Sequence, residues 1–422
     1  MRGVPMSSTF GLFNTSIMGM SAQASALADI SENIANSGTT GYKRASTQFL
    51  TVLSGYQGSG QSGGGVEART RFDIAQQGAM MSTGSATDIA IHGNGFFVVN
   101  DESGSTLLTR AGSFVPDAKG RLVNGAGYVL MGFPIGSAGS SSTSNSALAN
   151  MEPVVIHNDQ LFSKPTTSGT LAANLPAGAA IVAAANLPST NSASTIYSAK
   201  TSLTTYDNLG APVTFDIYFA KTADNTFEMT AYNSADAASG GFPYQNPALA
   251  TQTLTFDPAN GSLTAGSPFT FTVPNGAAVT LDLSETTQLG APFAVNNVTV
   301  NGNAPSAISH VEIASNGTLS YLLDDGEVVP AYMIGLANVD APTKLTNCSG
   351  NAYAVNGDSG PIFVGTPTIG GFGHIQASTL EASTVDLATE LSSMIIAQRS
   401  YTANTQSFQV ASEILQVLNN LK

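Results

Sequence analysis

The chain has 422 residues, of which 42% are hydrophobic and only 10% charged, and its 28 acidic and 14 basic side chains leave a net charge of −14. That balance repels a polyanion and excludes nucleic acid as a partner, while the length predicts about three structural units. A single cysteine, Cys348, rules out an intrachain disulfide and reads as a small apolar core residue, and no apolar run approaches the ~18 residues of a membrane span.

In chain order, the first element is an amphipathic helix. Phe10, Phe13, Ile17, Met20, Ala24, Leu27 and Ile34 recur at spacings of three, four or seven, a coiled-coil-like seam that Ile30 joins. Gly38 and Gly41, set among Ser37, Thr39 and Thr40, stop it. Arg2 and the apolar residues after it resemble a secretion leader with a cut near Ala22-Gln23-Ala24, but Asn14, Thr15 and Ser16 interrupt the apolar stretch. The periodicity continues past that cut, so a retained helix is expected.

The middle of the chain alternates with period two and is punctuated by turns. Gly follows Asn94, Asn124, Asn260, Asn275, Asn301, Asn316 and Asn356, each a hairpin signal. Residues 95–99, 212–219 and 269–273 read as strands, and no βαβ alternation occurs. Two Gly/Ser-rich stretches, 54–65 and 136–145, read as a connector and as the entry to an inserted domain whose chain returns near residues 288–293.

A second helix closes the chain. Leu387, Leu391, Met394, Tyr401, Phe408 and Leu415 form one stripe, and Val410, Ile414, Val417 and Leu421 a second beside it. With Ile395 and Leu418 the apolar arc is too wide for a two-helix seam, which predicts neighbours on more than one side. The expected fold class is mainly β with terminal α-helices that pair, an inner all-β domain made from two chain segments, and an inserted outer β-barrel or sandwich. The expected bounds are 1–45 and 373–422 for the N- and C-terminal assembly helices, 46–75 for the connector, 76–150 and 290–372 for the inner domain, and 151–289 for the outer domain.

Catalytic chemistry finds no footing in the sequence. Residues 58–63 spell a dinucleotide fingerprint without a βαβ unit around it, and His92, His157, His310 and His374 stand singly, so no cofactor and no metal are expected. Asp324-Asp325-Gly326-Glu327 lacks the alternating ligands of a calcium loop and reads as a charged hairpin tip. No serine sits on the strand-to-helix turn that makes a nucleophile elbow, so the chain reads as no enzyme.

Four blocks resemble the bacterial flagellar rod and hook protein family, in the family's order. They are ISENIANSGTTGYK from Ile30, QGAMMSTGSATDIAIHGNGFFVV from Gln77, LTRAGSFVPDAKGRLVNGAGYVLMGFP from Leu107 and LEASTVDLATELSSMIIAQRSYTAN from Leu380. The first carries the family's turn residues Asn33, Asn36, Gly41 and Tyr42. Residues 201–233 and 281–302 resemble the outer β domain of the hook-type members and its return, and a distal rod protein would be far shorter. The resemblance implies a homopolymer, a curved tube acting as a universal joint that carries torque from rod to filament. It also implies contacts with distal rod, hook cap, hook-length control and hook–filament junction proteins, and passage through the flagellar export apparatus without a cleaved leader. The alternatives are another axial protein of distal rod type or a secreted β-rich adhesin or surface-layer protein.

Overall fold

The computed structural model describes residues 6–52, 64–135, 148–157, 160–239 and 241–420, with side chains described between 11 and 417. The segments Met1–Pro5, 53–63 and 136–147 lie outside the described residues, and with them the fingerprint at 58–63, most of the 54–65 stretch and all of 136–145. Two long helices, α1 (Met6–Ala35) and α2 (Leu387–Asn420), bracket a chain that is otherwise built of strands. Contacts divide it into two units, the first taking Met1–Asn158, His310–Leu322 and Val328–Lys422 and the second Asp159–Ser309 and Leu323–Glu327.

In the first unit α1 is followed by an antiparallel hairpin of β1 (Ala45–Val52) and β2 (Gly65–Phe72), with Ala45 opposite Phe72. The described parts of the stretch assigned to a connector therefore form a hairpin. The hairpin lies on α1 because Asp29 of the helix accepts hydrogen bonds from Thr47 on β1 and from Thr70 on β2. Contact is close enough that a Cβ on Gly65 would meet Met18 Sδ at 2.1 Å.

The β region of this unit interleaves two distant stretches of chain. Phe96–Asn100 pairs with Thr106–Thr109 and Val129–Pro134 from its own stretch, and with Leu336–Val339 from the later one, Phe97 lying opposite Leu336. Ala352–Ala354 then adds to Thr106–Thr109. Phe96, Phe97, Val98 and Val99 are all buried, since both faces of this strand are covered, and this explains an apolar run without alternation. Phe96, Val98, Leu108, Met131, Met151, Ala337, Tyr353 and Val364 form one core. Met151 thus belongs to the inner core and not to the outer domain it was expected to open. Cys348, expected in the core, is half-buried at the end of the strand Thr346–Cys348. From the β region the strands β3 (Met80–Ser82) and β4 (Ile89–His92) pair with Thr379–Glu381 and His374–Ala377, the two segments that lead into α2.

The second unit is a sandwich of two five-stranded sheets, and the barrel alternative falls away. One sheet carries Ser168–Pro176 at its centre, and the other carries Pro212–Ala223 and Thr226–Asn233. Leu171, Leu175, Leu281 and Phe271 from the first sheet pack on Phe215, Phe219, Phe227 and Leu254 from the second. The polar faces alternate outward, as in Ala278–Asp282 where Val279 and Leu281 alone are buried. Asn275 takes a left-handed φ of 57° as the third residue of the turn 273–276, which the Gly276 N–H closes on the Val273 carbonyl at 2.9 Å, between Phe269–Thr272 and Ala278–Asp282. Ala294–Val300 pairs with Ser168–Pro176, so this unit runs beyond the expected end at Leu289.

Phe215 is fully buried and meets the Phe271 ring edge-on at 4.9 Å between centroids. Phe215→Ala is expected to cost the second unit about 3–5 kcal/mol by opening a cavity between the sheets. Chemical denaturation followed by tyrosine fluorescence checks this, and an unchanged midpoint would mean that the sheets close over the void.

Candidate assembly helices and their anchor

The two helices run antiparallel, side by side. Phe13 meets Phe408 edge-on at 5.0 Å, the Thr405 hydroxyl points at Met20 Sδ from 3.4 Å, and Asn33 reaches Glu390 at the other end. The residues buried along α1 are Ser16, Gly19, Ala22, Ala26, Asp29, Ile30 and Asn33, and those along the described part of α2 are Glu390, Ala397 and Ala411. A Cβ on Gly19 would stand 2.8 Å from Asn404 Oδ1. Small side chains set this spacing, because the distance between packed helices follows the size of the residues at the contact.

This seam differs from the one read off the periodicity. Ile17 and Ala24 point outward, and Phe13, Met20, Leu27 and Ile34 are half-buried along the flank. Ile30 lies inside the chain, so the structure removes it from any surface offered to a neighbour. The large apolar residues of α2 do the opposite. Leu387, Leu391, Ile395, Ile396, Tyr401, Val410, Ile414 and Val417 are 40% to 65% exposed, while Met394, Phe408 and Leu415 are half-buried. Phe10 and Leu418 lie outside the described side chains.

The base of α1 is held by the turn that follows it. Asn33 donates from Nδ2 to the Ala45 carbonyl at 2.7 Å and accepts the Ala45 N–H on Oδ1 at 2.8 Å, satisfying both backbone groups of the first residue of β1. The Tyr42 hydroxyl donates to the same Oδ1 at 3.2 Å. Asn36 donates to the Glu32 carbonyl and accepts from the Thr39 hydroxyl, closing the last helical turn. Gly41 has a φ of +70° and would place a Cβ 2.7 Å from the Ala111 backbone nitrogen, so only glycine fits. Its N–H donates to the Glu381 carbonyl at 2.8 Å. Burial, with Glu32, Asp29 and Glu390 nearby, pushes the Tyr42 phenol from 10.0 up to about 12.

Beneath this turn lies a set of buried charges that periodicity does not mark. Glu381 has no exposed side-chain surface, and its Oε1 accepts from Lys43 Nζ at 2.5 Å and from the Gly78 N–H at 2.7 Å. Its Oε2 faces Arg110 Nη1 at 3.4 Å. Burial lowers the pKa of Lys43 and of Arg110, and the Glu381 carboxylate opposes it in both. A second pair joins Arg44 Nε to the buried Glu390 Oε1 at 2.5 Å. Asp386 caps α2 by accepting the Thr389 N–H at 2.7 Å, a bond that lowers its own pKa. The signal for this network was present in the sequence. In a chain with only 10% charged residues, Lys43, Arg44, Glu381 and Glu390 all fall inside otherwise apolar or small-residue blocks.

Glu381→Ala strands Lys43 and Arg110 in the interior and is expected to cost the first unit about 3–5 kcal/mol, read as a lowered denaturation midpoint. A loss no larger than that of an exposed control such as Glu67→Ala would show that the pair adds nothing. For Tyr42, the raised pKa means that the folded state favours the neutral phenol. The stability this contributes is complete below pH 10.0 and is lost as pH rises toward about 12. Tyr42→Phe is expected to flatten that alkaline decline in a pH series of denaturation midpoints, and a parallel decline in both proteins would contradict the assignment.

Comparison with known proteins covers both units. The family described as Flagella basal body rod protein matches residues 13–43, and Flagellar hook protein FlgE/F/G D1 domain matches 90–182. Flagellar basal body protein FlaE D2 domain matches 174–303, and Flagellar basal body rod FlgEFG protein C-terminal matches 376–421. Flagellar hook protein FlgE of Rhizobium meliloti is 40% identical over 98% of this chain and 100% of its own length. The protein of the same name from Salmonella typhimurium is 32% identical over 97% of this chain and 100% of its own. In fold, the chain resembles the crystal structure of Helicobacter pylori flagellar hook protein FlgE2, with a TM-score of 0.51 at 14% identity over 72% of this chain and 100% of that one. These similarities favour neither a distal rod protein nor a secreted adhesin. The chain belongs to the flagellar hook protein family, as a structural subunit of the bacterial flagellar hook.

Proposed function

We propose that the chain polymerises through the outward faces of its terminal helices into a curved tube that works as a universal joint between rod and filament. The observation that carries this reading is the row of large apolar side chains on α2, from Leu387 to Val417, left 40% to 65% exposed while the seam with α1 is closed by small residues. Large apolar side chains left exposed in such number along one helix mark an interaction face. Ile17 and Leu12 are likewise exposed on α1. Contacts between unlike faces do not close on themselves, and repetition then builds a helical tube.

Within this reading the chain has no catalytic role. The distal rod protein, hook cap, length-control protein and hook–filament junction protein meet the polymer at its ends or during growth. Export proceeds through the flagellar apparatus without a cleaved leader, which suits a chain whose first helix is taken up in the packing of the first unit. The second unit supplies the outer contacts that set curvature. Its surface carries few charges, so few ion pairs would lock neighbouring copies in one geometry.

Ile395→Asp tests the assembly face. The position is 52% exposed in the single chain, so the variant is expected to fold with an unchanged denaturation midpoint yet to form no tubes by electron microscopy. Tubes of normal length from this variant would place the interface elsewhere. Excising Asp159–Ser309 is expected to leave assembly intact and to change the curvature or stiffness of the tube, and a folded deletion variant that never polymerises would refute that division of labour.

A further inference from the structure

The four histidines are scattered along the chain, but the fold sets His92 and His374 directly opposite each other in an antiparallel ladder. Their rings stack with centroids 4.8 Å apart and planes inclined by 28°. Both side chains are exposed, whereas Ile91 and Ile375, one step along each strand, are buried. The alternation of the strands therefore points both imidazoles to the same solvent-facing side.

The backbone beneath the pair is fixed from several directions. Gln77 donates from Nε2 to the Ile91 carbonyl at 3.1 Å and accepts the Gly93 N–H on Oε1 at 3.1 Å, bracketing His92. Arg110 Nη2 donates to the Gly93 carbonyl at 2.9 Å. On the facing strand, the Gly373 N–H donates to the Asn94 carbonyl at 2.8 Å, and a Cβ on Gly373 would stand 2.3 Å from the His92 carbonyl oxygen. Two strands brought this close, and held by Gln77 and Arg110, fix the backbone from which both imidazoles rise.

We propose that His92 and His374 form a two-histidine binding site for a divalent transition-metal ion of the Zn2+, Ni2+ and Cu2+ class. Imidazole suits these ions and discriminates against Mg2+ and Ca2+, which take oxygen ligands. Metal–nitrogen bonds of about 2.0–2.1 Å require two ring nitrogens roughly 3 Å apart with their in-plane lone pairs converging, which directly opposed residues with Cβ atoms about 4.5–5.5 Å apart reach when the two exposed rings turn out of their stack. Among the described residues no group of three or more His, Cys, Asp or Glu comes together, so the other coordination positions face water. Such a site exchanges its metal readily and is surface-bound, unlike a closed structural zinc centre.

The test is calorimetric titration of the full chain with Ni2+ and, separately, Zn2+, with Mg2+ as the control. The expected result is one ion bound per chain, weakened about tenfold or more by His92→Ala and by His374→Ala and unchanged by His310→Ala. Because both side chains are exposed, the variants keep the wild-type circular dichroism spectrum and denaturation midpoint, so loss of binding is not loss of fold. Absence of Ni2+ and Zn2+ binding by the wild-type chain would overturn the proposal, as would equal binding by the two variants.

Discussion

A carboxylate with no exposed surface is the constraint on which the first unit depends. Burying Glu381 costs several kcal/mol unless its charge is met, and it is met by groups from three places in the chain. Lys43 follows the helix α1, Arg110 comes from the β region, and the Gly78 N–H comes from the segment before β3. The charge is compensated only when all three arrive, so this ion cluster ties the exit of α1, the entry of α2 and the sheets to one arrangement. The Asn33, Arg44 and Glu390 contacts repeat the device one layer up, where the two helices meet. In a chain so poor in charge, spending its charged residues on an interior joint points to specificity of arrangement as their role.

Above that joint the helices separate two kinds of apolar residue. Alanine, glycine and serine, with Ile30 and the Phe13–Phe408 ring pair, take the contact inside the chain, and leucine, isoleucine, valine and tyrosine take the outside of α2. A soluble monomer would put the larger side chains inward, since each gains more from leaving water. The inversion makes sense if the final environment of α2 includes other copies of the chain. Helix order and association then reinforce one another, because a long helix with one narrow seam is marginal alone.

The β units follow simpler rules. In the first, strands buried on both faces carry unbroken apolar runs, and interleaving of Phe96–Asn100 with Leu336–Val339 makes one core from two remote stretches. In the second, alternating strands close a sandwich whose outward faces are threonine, serine and asparagine. Each unit has its own core, so each can be substituted or removed without emptying the other.

The two helices, the all-β middle and the glycine at position 41 were legible in the sequence, because each depends on local periodicity or on backbone angles that few residues adopt, whereas the Asn-Gly pairs at Asn94, Asn301 and Asn356 do not join paired strands. The hook-type resemblance was legible too, in blocks such as ISENIANSGTTGYK whose residues turn out to hold the base of α1. What tertiary structure alone decided were pairings between residues far apart in the chain. Glu381 with Lys43, Asn33 with Glu390, His92 with His374, and Ala294–Val300 with Ser168–Pro176 have no local signature. The choice of seam was likewise hidden. Periodicity weighs side chains by size and hydrophobicity and so selected Ile17, which points outward, whereas the packed helices selected Gly19, Ala22 and Ala26, because only small residues allow two backbones to approach that closely.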